Sequence, residues 1–354
     1  MTEYKCPNCN GAIKYNPKKE SLECASCGTL FTQEQLDAIY GKPDTDAVAE
    51  NVKKAETIET IDGMRIYICQ SCGAQIAADD STAATHCPYC GNPVVIGNTT
   101  SGLNKPDLIL PFKLDKKAAI NALVAHYRKF KLVPDSFNPE KHIDDIRGVY
   151  VPFWLFDSNA SANIVYDATK VRHWSDHTYN YTETSFFEIH RGGSIGFSGI
   201  PVDASSKMED EYMDGLEPFD YNDLKAFHPS FMSGFLADKY DVDQTASFQR
   251  AHNRIAQSTV DEFKKTVEGY TTVKPRTTNV NTANSTYRYA MLPVWVMTAK
   301  YGDKIYKFAV NGQTGTVAGE LPVDKKKLML LRAGLFLGSA AAMNLIAIVI
   351  KLLG

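Results

Sequence analysis

Eight cysteines, arranged as two copies of one spacing, constrain this sequence more than any other feature. Each copy reads C-x2-C-x14-C-x2-C, the second begins 63 residues after the first, and no cysteine is left over. Four thiolates at about 2.3 Å are the ligands of a structural zinc ion. Disulfides are disfavoured, because C-x2-C pairs are poorly placed for them and the opening residues lack the pattern of a secretory signal. The sequence therefore predicts two zinc ribbons, at 1–40 and 61–98, with one structural Zn²⁺ bound in each ribbon by Cys6, Cys9, Cys24 and Cys27, and by Cys69, Cys72, Cys87 and Cys90.

A site closed by four protein thiolates is structural, because no coordination position is left for water or substrate. We therefore predict no catalytic residue at either metal and no enzymatic activity. Thiolates that bind zinc also require a reducing compartment, which places the ribbons on the cytoplasmic side.

The charge of the ribbon half argues against nucleic acid as its ligand. The whole chain has a formal net charge of −3, and residues 1–100 contain eight Lys and Arg against 13 Asp and Glu. Nucleic-acid-binding modules normally present a basic face that displaces counterions from phosphates. Binding of a protein partner is the better prediction for the ribbons.

The sequence predicts a linker at 41–60 between the two ribbons, and a central α+β domain over 104–322 after the second ribbon. Apolar periodicity and capping residues predict helices over 116–131 and 243–268, and the polar stretch at 277–286 is interpreted as a loop. The aromatic strand at 149–157 is matched by a second one at 290–299. Both contain Pro-x-Trp, around Trp154 and Trp295, which indicates two related half-units.

Two apparent catalytic or ligand motifs are accidental, and a third motif, the phosphate-binding loop, is absent. Residues 192–196 fit G-x-S-x-G, but the glycines and Pro201 that follow forbid the required helix. His173 and His177 are four residues apart in a segment that is typical of a hairpin, and a third ligand is missing. No G-x-x-x-x-G-K-[ST] loop is present to bind nucleotide phosphates.

The C-terminal segment has the composition of a membrane span. Residues 333–350 carry no charge, and 328–351 as a helix would match the hydrocarbon thickness of a bilayer. Four basic residues precede the segment and one follows it, which predicts a single-pass cell-membrane protein with cytoplasmic N-terminal domains. Gly334, Gly338 and Ala342 form a small-xxx-small face that could pair with another such helix, giving a homo- or hetero-oligomer.

Together these segments resemble a known family. Tandem CPxC-type ribbons, the segments VPFWLFD and LPVWVMTAKYGDKIYKFAVNGQTG, and the basic-flanked C-terminal span resemble the bacterial YdjG-type membrane-anchored zinc-ribbon proteins, some of which are labelled TFIIB-type zinc ribbon or helicase-like. The resemblance covers essentially the whole chain. It implies an adaptor that localises an SPFH-type or stress-response protein, and it brings no catalytic residues.

Three functional hypotheses follow, in order of preference. The first is a membrane-anchored adaptor whose ribbons bind a protein partner. The second is a membrane-tethered protein whose ribbons bind nucleic acid. The third is an enzyme in the central domain, for which the sequence offers only scattered histidines.

Overall fold

The computed structural model describes residues 6–9, 11–40, 60–69, 71–79, 84–95, 100–135, 137, 146–302 and 304–353. The predicted linker at 41–60 lies outside these residues, apart from residue 60. The strands are β1 (Ile13–Asn16), β2 (Ser21–Cys24), β3 (Leu30–Phe31), β4 (Thr60–Ile68), β5 (Gln75–Asp79), β6 (Ala84–His86), β7 (Pro93–Val95), β8 (Thr100–Asn104), β9 (Leu108–Ile109), β10 (Arg147–Ser175), β11 (Asn180–Asp203), β12 (Lys225–Ala226), β13 (Leu236–Asp238), β14 (Thr272–Tyr301), β15 (Lys304–Asn311) and β16 (Val317–Gly319). The helices are α1 (Gln33–Tyr40), α2 (Lys116–Tyr127), α3 (Asp210–Asp214), α4 (Gln244–Lys265) and α5 (Lys325–Leu353).

An eleven-stranded mixed sheet forms the centre of the molecule. Its path runs β12-β9-β14-β10-β13-β5-β4-β8, with β11 beside β10, β15 beside β14 and β16 beside β15. The two middle strands, β10 and β14, run antiparallel, and their apolar runs at 148–156 and 289–297 are buried. A continuous apolar run is expected where both faces of a strand are covered.

The central domain is built from two half-units with the same order of elements. In the first, β9 leads through α2 to the β10–β11 hairpin. In the second, β13 leads through α4 to the β14–β15 hairpin. Each initial strand pairs in parallel with the long strand of the other half, β9 with β14 and β13 with β10. The two half-units are therefore exchanged around a pseudo-twofold axis between β10 and β14.

Hydrogen bonds repeat this relationship atom by atom. Near the end of each hairpin a backbone N–H donates to the carbonyl of the proline in its Pro-x-Trp strand. Ala204 donates to Pro152 at 2.9 Å, and Gly312 donates to Pro293 at 2.8 Å. The carbonyl of each of these two residues accepts two backbone N–H groups from the segment before the helix of the other half-unit. The distances are 3.0 and 3.1 Å at Ala204, from the segment before α4, and 3.0 and 2.8 Å at Gly312, from the segment before α2. The Pro-x-Trp match in the sequence thus corresponds to equivalent positions in the fold.

One difference between the half-units is that the hairpin of the first is much longer. Its extension is a three-stranded sheet that we call the arm. The arm consists of 158–175 of β10, 180–197 of β11 and 272–283 of β14, with β10 in the middle. Phe263 of helix α4, together with Val267 just after the helix, covers one face of the arm by packing with Ile164, Tyr166 and Ile189. The turn at 176–179 closes the far end.

Two predicted features of the fold are wrong. The chain is predominantly β rather than α+β, because polar stretches such as 277–286 form strands instead of loops. No helix among the described residues is long and apolar enough to cross a membrane. This overturns the predicted transmembrane helix at 328–351 and the single-pass cell-membrane location inferred from it. Helix α5 does occupy these positions, but its first eight residues include three lysines and Arg332.

The predicted small-residue face on α5 stays untested. An added Cβ at Gly334 or Gly338 would meet no atom within 4 Å, and the side chain of Ala342 lies outside the described residues. The two predicted long helices are present but shorter than expected. Helix α2 ends at Tyr127 and α4 at Lys265, while Asp115 and Asp243 cap them as expected.

Candidate metal centres

The first cysteine cluster lies beside the β1–β2 hairpin. The Sγ atoms of Cys6 and Cys27 are 3.6 Å apart, those of Cys9 and Cys24 are 3.5 Å apart, and all four lie within 4.8 Å of one another. Four thiolates at about 2.3 Å from one zinc ion would be separated by about 3.8 Å in a tetrahedron. The cluster therefore fits Zn²⁺ with only a small outward adjustment.

The second cluster has the same geometry. Cys69 and Cys90 are 3.6 Å apart at sulfur, as are Cys72 and Cys87, and the four ligand atoms again lie within 4.8 Å. Cys69 and Cys87 are buried, whereas Cys72 is exposed. The chain can therefore hold two structural Zn²⁺ ions, as the spacing predicts.

Two backbone hydrogen bonds recur in the cysteine knuckles, the first in all four and the second in three of them. The first cysteine of a knuckle donates its N–H to the carbonyl five residues later, at 2.7–2.9 Å in all four knuckles. In three of them a glycine returns its N–H to that cysteine, and Gly28, Gly73 and Gly91 have φ of 71°, 70° and 75°. This left-handed conformation favours glycine, which explains the residue that follows each of these three knuckles.

The surroundings of the sulfur atoms differ between the two ribbons. In the first, the hydroxyl group and then the backbone of Thr29 lower the pKa of Cys27 to about 6, and Ser26 donates its N–H to Cys24 Sγ at 3.4 Å. In the second, burial raises the pKa of Cys87. A bound metal ion supplies the positive charge that holds such a buried sulfur as thiolate.

The first ribbon packs directly on the central domain. The ring of Tyr15 lies edge-on to Phe231 with centroids 5.4 Å apart, and the Tyr15 N–H donates to the Ser233 carbonyl at 3.3 Å. The Lys18 ammonium lies 2.7 Å from Asp115, the capping residue of α2. Ribbon and central-domain side chains thus share one apolar cluster.

The second ribbon is part of the central sheet itself. Its strand β5 pairs with β13, with Ala77 opposite Ala237, so the ribbon extends the sheet by β5, β4 and β8. The Tyr89 hydroxyl, which belongs to the last knuckle, donates to Asp238 Oδ2 at 2.8 Å, and Ser205 donates to the same oxygen. Burial raises the pKa of Asp238 to about 6. This contact was not predicted from the sequence, where the aromatic residue between two ligands was the one available signal.

The other motifs have no metal or catalytic geometry. In the part of the chain that the structure describes, no further group of His, Cys, Asp or Glu places three ligand atoms together. His173 lies on β10, where its Nδ1 is 2.9 Å from Thr182 Oγ1, and His177 lies in the turn of the arm. Residues 192–196 are strand β11, as expected for an accidental G-x-S-x-G match.

These observations define a class of protein in which two four-cysteine zinc ribbons are built into a β-rich body of two half-units. No family model and no solved structure matches the chain. The chain is 33% identical over 353 residues to the uncharacterized protein YdjG of Bacillus subtilis strain 168, and the match covers 98% of each chain. It belongs to the family of YdjG.

Proposed function

We propose that this protein is a non-catalytic adaptor that binds a protein partner through the end of its arm. The observation that carries the proposal is the group of aromatic side chains left exposed there. Trp174 is 44% exposed and Tyr179 is 65% exposed, beside Tyr181 at 38%. Trp and Tyr are enriched in the residues that dominate the binding energy of protein interfaces.

The end of the arm is held in one conformation by its own contacts. The Asp176 carboxylate accepts the N–H groups of Thr178 and Tyr179 at 2.8 and 2.7 Å, and the Tyr181 hydroxyl at 2.9 Å. These bonds, the two backbone N–H groups first, lower the pKa of Asp176. The rings of Trp174 and Tyr181 stack with centroids 5.4 Å apart. Such order reduces the entropy lost when a partner binds.

The charge of this region favours an acidic partner segment. The Arg172 guanidinium lies 5.4 Å from the centroid of Trp174, and Lys170 lies over the rings of Phe187 and Tyr270. The nearby Asp176 carboxylate already accepts hydrogen bonds from Thr178, Tyr179 and Tyr181. Cations above aromatic rings present charge and apolar surface together, a combination that suits a segment with both acidic and apolar residues.

In this proposal the ribbons have a structural role. The second ribbon continues the sheet and the first is packed against the central domain, so part of each ribbon contacts the chain's own residues. The adaptor hypothesis therefore moves the partner site from the ribbons to the arm. A protein of the SPFH type, which the family resemblance implies, is the first partner to test.

The test is affinity purification of the tagged full chain, followed by mass spectrometry. A Trp174→Ala, Tyr179→Ala variant removes the aromatic group, and Phe130→Ala, which is 49% exposed outside the arm, is the matched control. The proposal expects a stoichiometric protein recovered with wild type and control but lost from the arm variant, and direct binding of that protein once purified.

Two results would overturn the proposal. Equal recovery of the partner with the arm variant would remove the arm as its site. Nuclease-sensitive recovery of nucleic acid without a defined protein would favour the second hypothesis, because stacked aromatic rings beside cations also bind single strands.

A further inference from the structure

One edge of the arm has no neighbouring strand among the described residues. Strand β11 pairs with β10 alone, and its other edge is open from 180 onwards. The Asp176 N–H donates to the Tyr179 carbonyl at 3.0 Å, which sets the alternation of hydrogen bonds along the hairpin. In an antiparallel pair, alternate residues bond to the neighbouring strand and to the outside. The even-numbered residues from 182 to 190 therefore direct their N–H and C=O groups to the open edge.

The opposite edge of β10 confirms this alternation. The Thr271 N–H donates to the carbonyl of Thr169, so odd-numbered residues of β10 bond towards β14 and even-numbered ones towards β11. Lys170 lies opposite Ser185 in the register, which places the inward-bonding residues of β11 at odd positions.

This edge lacks two of the usual protections against pairing, proline and lysine, and its charged residues are of both signs. Residues 180–192 contain no proline and no lysine, and the register with β10 is continuous there. Natural proteins normally interrupt an open edge with proline, lysine or a bulge, because unpaired N–H and C=O groups bind any matching strand. An open edge of this length is instead suited to the addition of a strand.

The sequence of the edge is complementary to itself. Glu183 and Arg191 lie four residues on either side of Phe187, and all three side chains are on the face of the arm that carries α4. In an antiparallel pair of two copies centred on Phe187, Glu183 lies opposite Arg191 of the second copy. Glu183 forms no ion pair within the described part of the chain. Arg191 donates to Thr266 through two of its nitrogens and to the His190 carbonyl through the third, which leaves two of its five N–H groups for another acceptor.

The same register brings aromatic side chains to its centre. Phe187 meets Phe187 of the second copy at the centre of the pair. On the other face Phe186, which is 81% exposed, lies beside Glu188 of the second copy. A twofold axis perpendicular to the sheet places both α4 helices on one face.

We propose that β11 pairs antiparallel with β11 of a second copy of this chain, around a twofold axis at Phe187, so that two arms form one six-stranded sheet. The turn at 176–179 lies outside the paired segment. The dimer therefore presents two partner-binding ends, and a partner with two sites would bind it with the higher avidity of a bivalent ligand.

Sedimentation of the full-length protein over a range of concentrations tests this pairing. Thr184→Pro removes an outward N–H from the open edge, and Thr278→Pro makes the same change on the outer edge of β14 as a matched control. We expect Thr184→Pro to weaken dimerisation at least about tenfold and Thr278→Pro to leave it unchanged. Zinc content and circular dichroism confirm that each variant is folded.

A charge exchange tests the register. Glu183→Arg and Arg191→Glu should each weaken the dimer about tenfold, because both copies lose an ion pair and gain a like-charge contact. The double variant should return to within a few-fold of wild type. Three results would overturn the proposal: a wild-type protein that stays monomeric up to roughly 100 µM, equal effects of the two proline variants, or a double variant that is not restored.

Discussion

Trp154 and Trp295 occupy equivalent positions in the two half-units, and each donates its indole N–H to the backbone carbonyl that precedes a helix-capping aspartate. Trp154 bonds to Val242 at 2.9 Å and Trp295 bonds to Leu114 at 3.0 Å. Each tryptophan therefore joins its own half-unit to the helix of the other. Both are nearly fully buried.

The first prediction concerns these two hydrogen bonds. Trp154→Phe and Trp295→Phe should each lower the free energy of unfolding by about 1–3 kcal/mol, because a buried carbonyl loses its donor and a smaller ring fills the site. Urea denaturation measures the change. Trp174→Phe, on the exposed arm, is the control and should change the free energy by less than about 0.5 kcal/mol. A buried variant that behaves like this control would contradict the prediction.

The second prediction compares the two helix caps. Asp115 and Asp243 accept the N–H of Ala118 and Ala246 at 2.9 and 2.8 Å. Replacing either aspartate with alanine should reduce the free energy of unfolding by about 1 kcal/mol. Asp115 also pairs with Lys18 of the first ribbon, a half-exposed contact that adds a few tenths of a kcal/mol at most, about 0.2–0.5.

A double-mutant cycle separates these two effects. In a Lys18→Ala background the cost of Asp115→Ala should fall to that of Asp243→Ala. An unchanged difference between the two caps would show that the ribbon contact does not contribute.

The third prediction concerns zinc. Cys9→Ser with Cys27→Ser, and Cys72→Ser with Cys90→Ser, should each reduce bound zinc from two ions per chain to one, as measured by elemental analysis. Only the second pair should accelerate hydrogen exchange in Leu236–Asp238, because within the described ranges the second ribbon, and not the first, is hydrogen-bonded to β13. Equal exchange in the two variants would show that β5 does not protect the sheet.

The fourth prediction is a pH dependence that arises from Asp238. Burial raises its pKa to about 6, above the value of an unfolded chain, so the folded state binds the proton more tightly. The stability from this group is therefore present at low pH and is lost as pH rises through about 6. Asp238→Asn keeps an oxygen acceptor for Tyr89 but cannot ionise.

Urea denaturation of wild type and Asp238→Asn from about pH 5 to 7.5 tests this prediction. Over that window the free energy of unfolding of wild type should fall, relative to that of the variant, by on the order of 1–2 kcal/mol. Burial also raises the pKa of Asp203 to about 6, but that residue titrates in both proteins and cancels in the comparison. Parallel stability curves for the two proteins would contradict the assignment to Asp238.

The metal ligands were predictable from the sequence because their spacing is local and chemically specific. The position of the ribbons was not, since it depends on pairs such as Tyr89 and Asp238, which are 149 residues apart. A single sequence read for local periodicity carries no signal for such a contact. The ribbons were therefore interpreted as separate modules, whereas the structure packs both against the central domain.

The error at 277–286 has a different physical cause. These residues are polar on both faces, with most side chains in water, so they lack the alternation that marks a half-buried strand. They are held extended by hydrogen bonds to β10, a strand more than a hundred residues earlier. The Pro-x-Trp segments were recognised because a buried strand leaves a continuous apolar run in the sequence.

The two hairpins of the body differ greatly in length, with 24 residues in β11 and eight in β15. Since both begin from equivalent proline and tryptophan residues and end on equivalent backbone bonds, the short hairpin shows that the body closes without an extension. A change in the length of the long hairpin therefore leaves these equivalent bonds in place. The molecule carries a shortened version of its own arm, and the shorter hairpin is the template from which an armless protein can be designed.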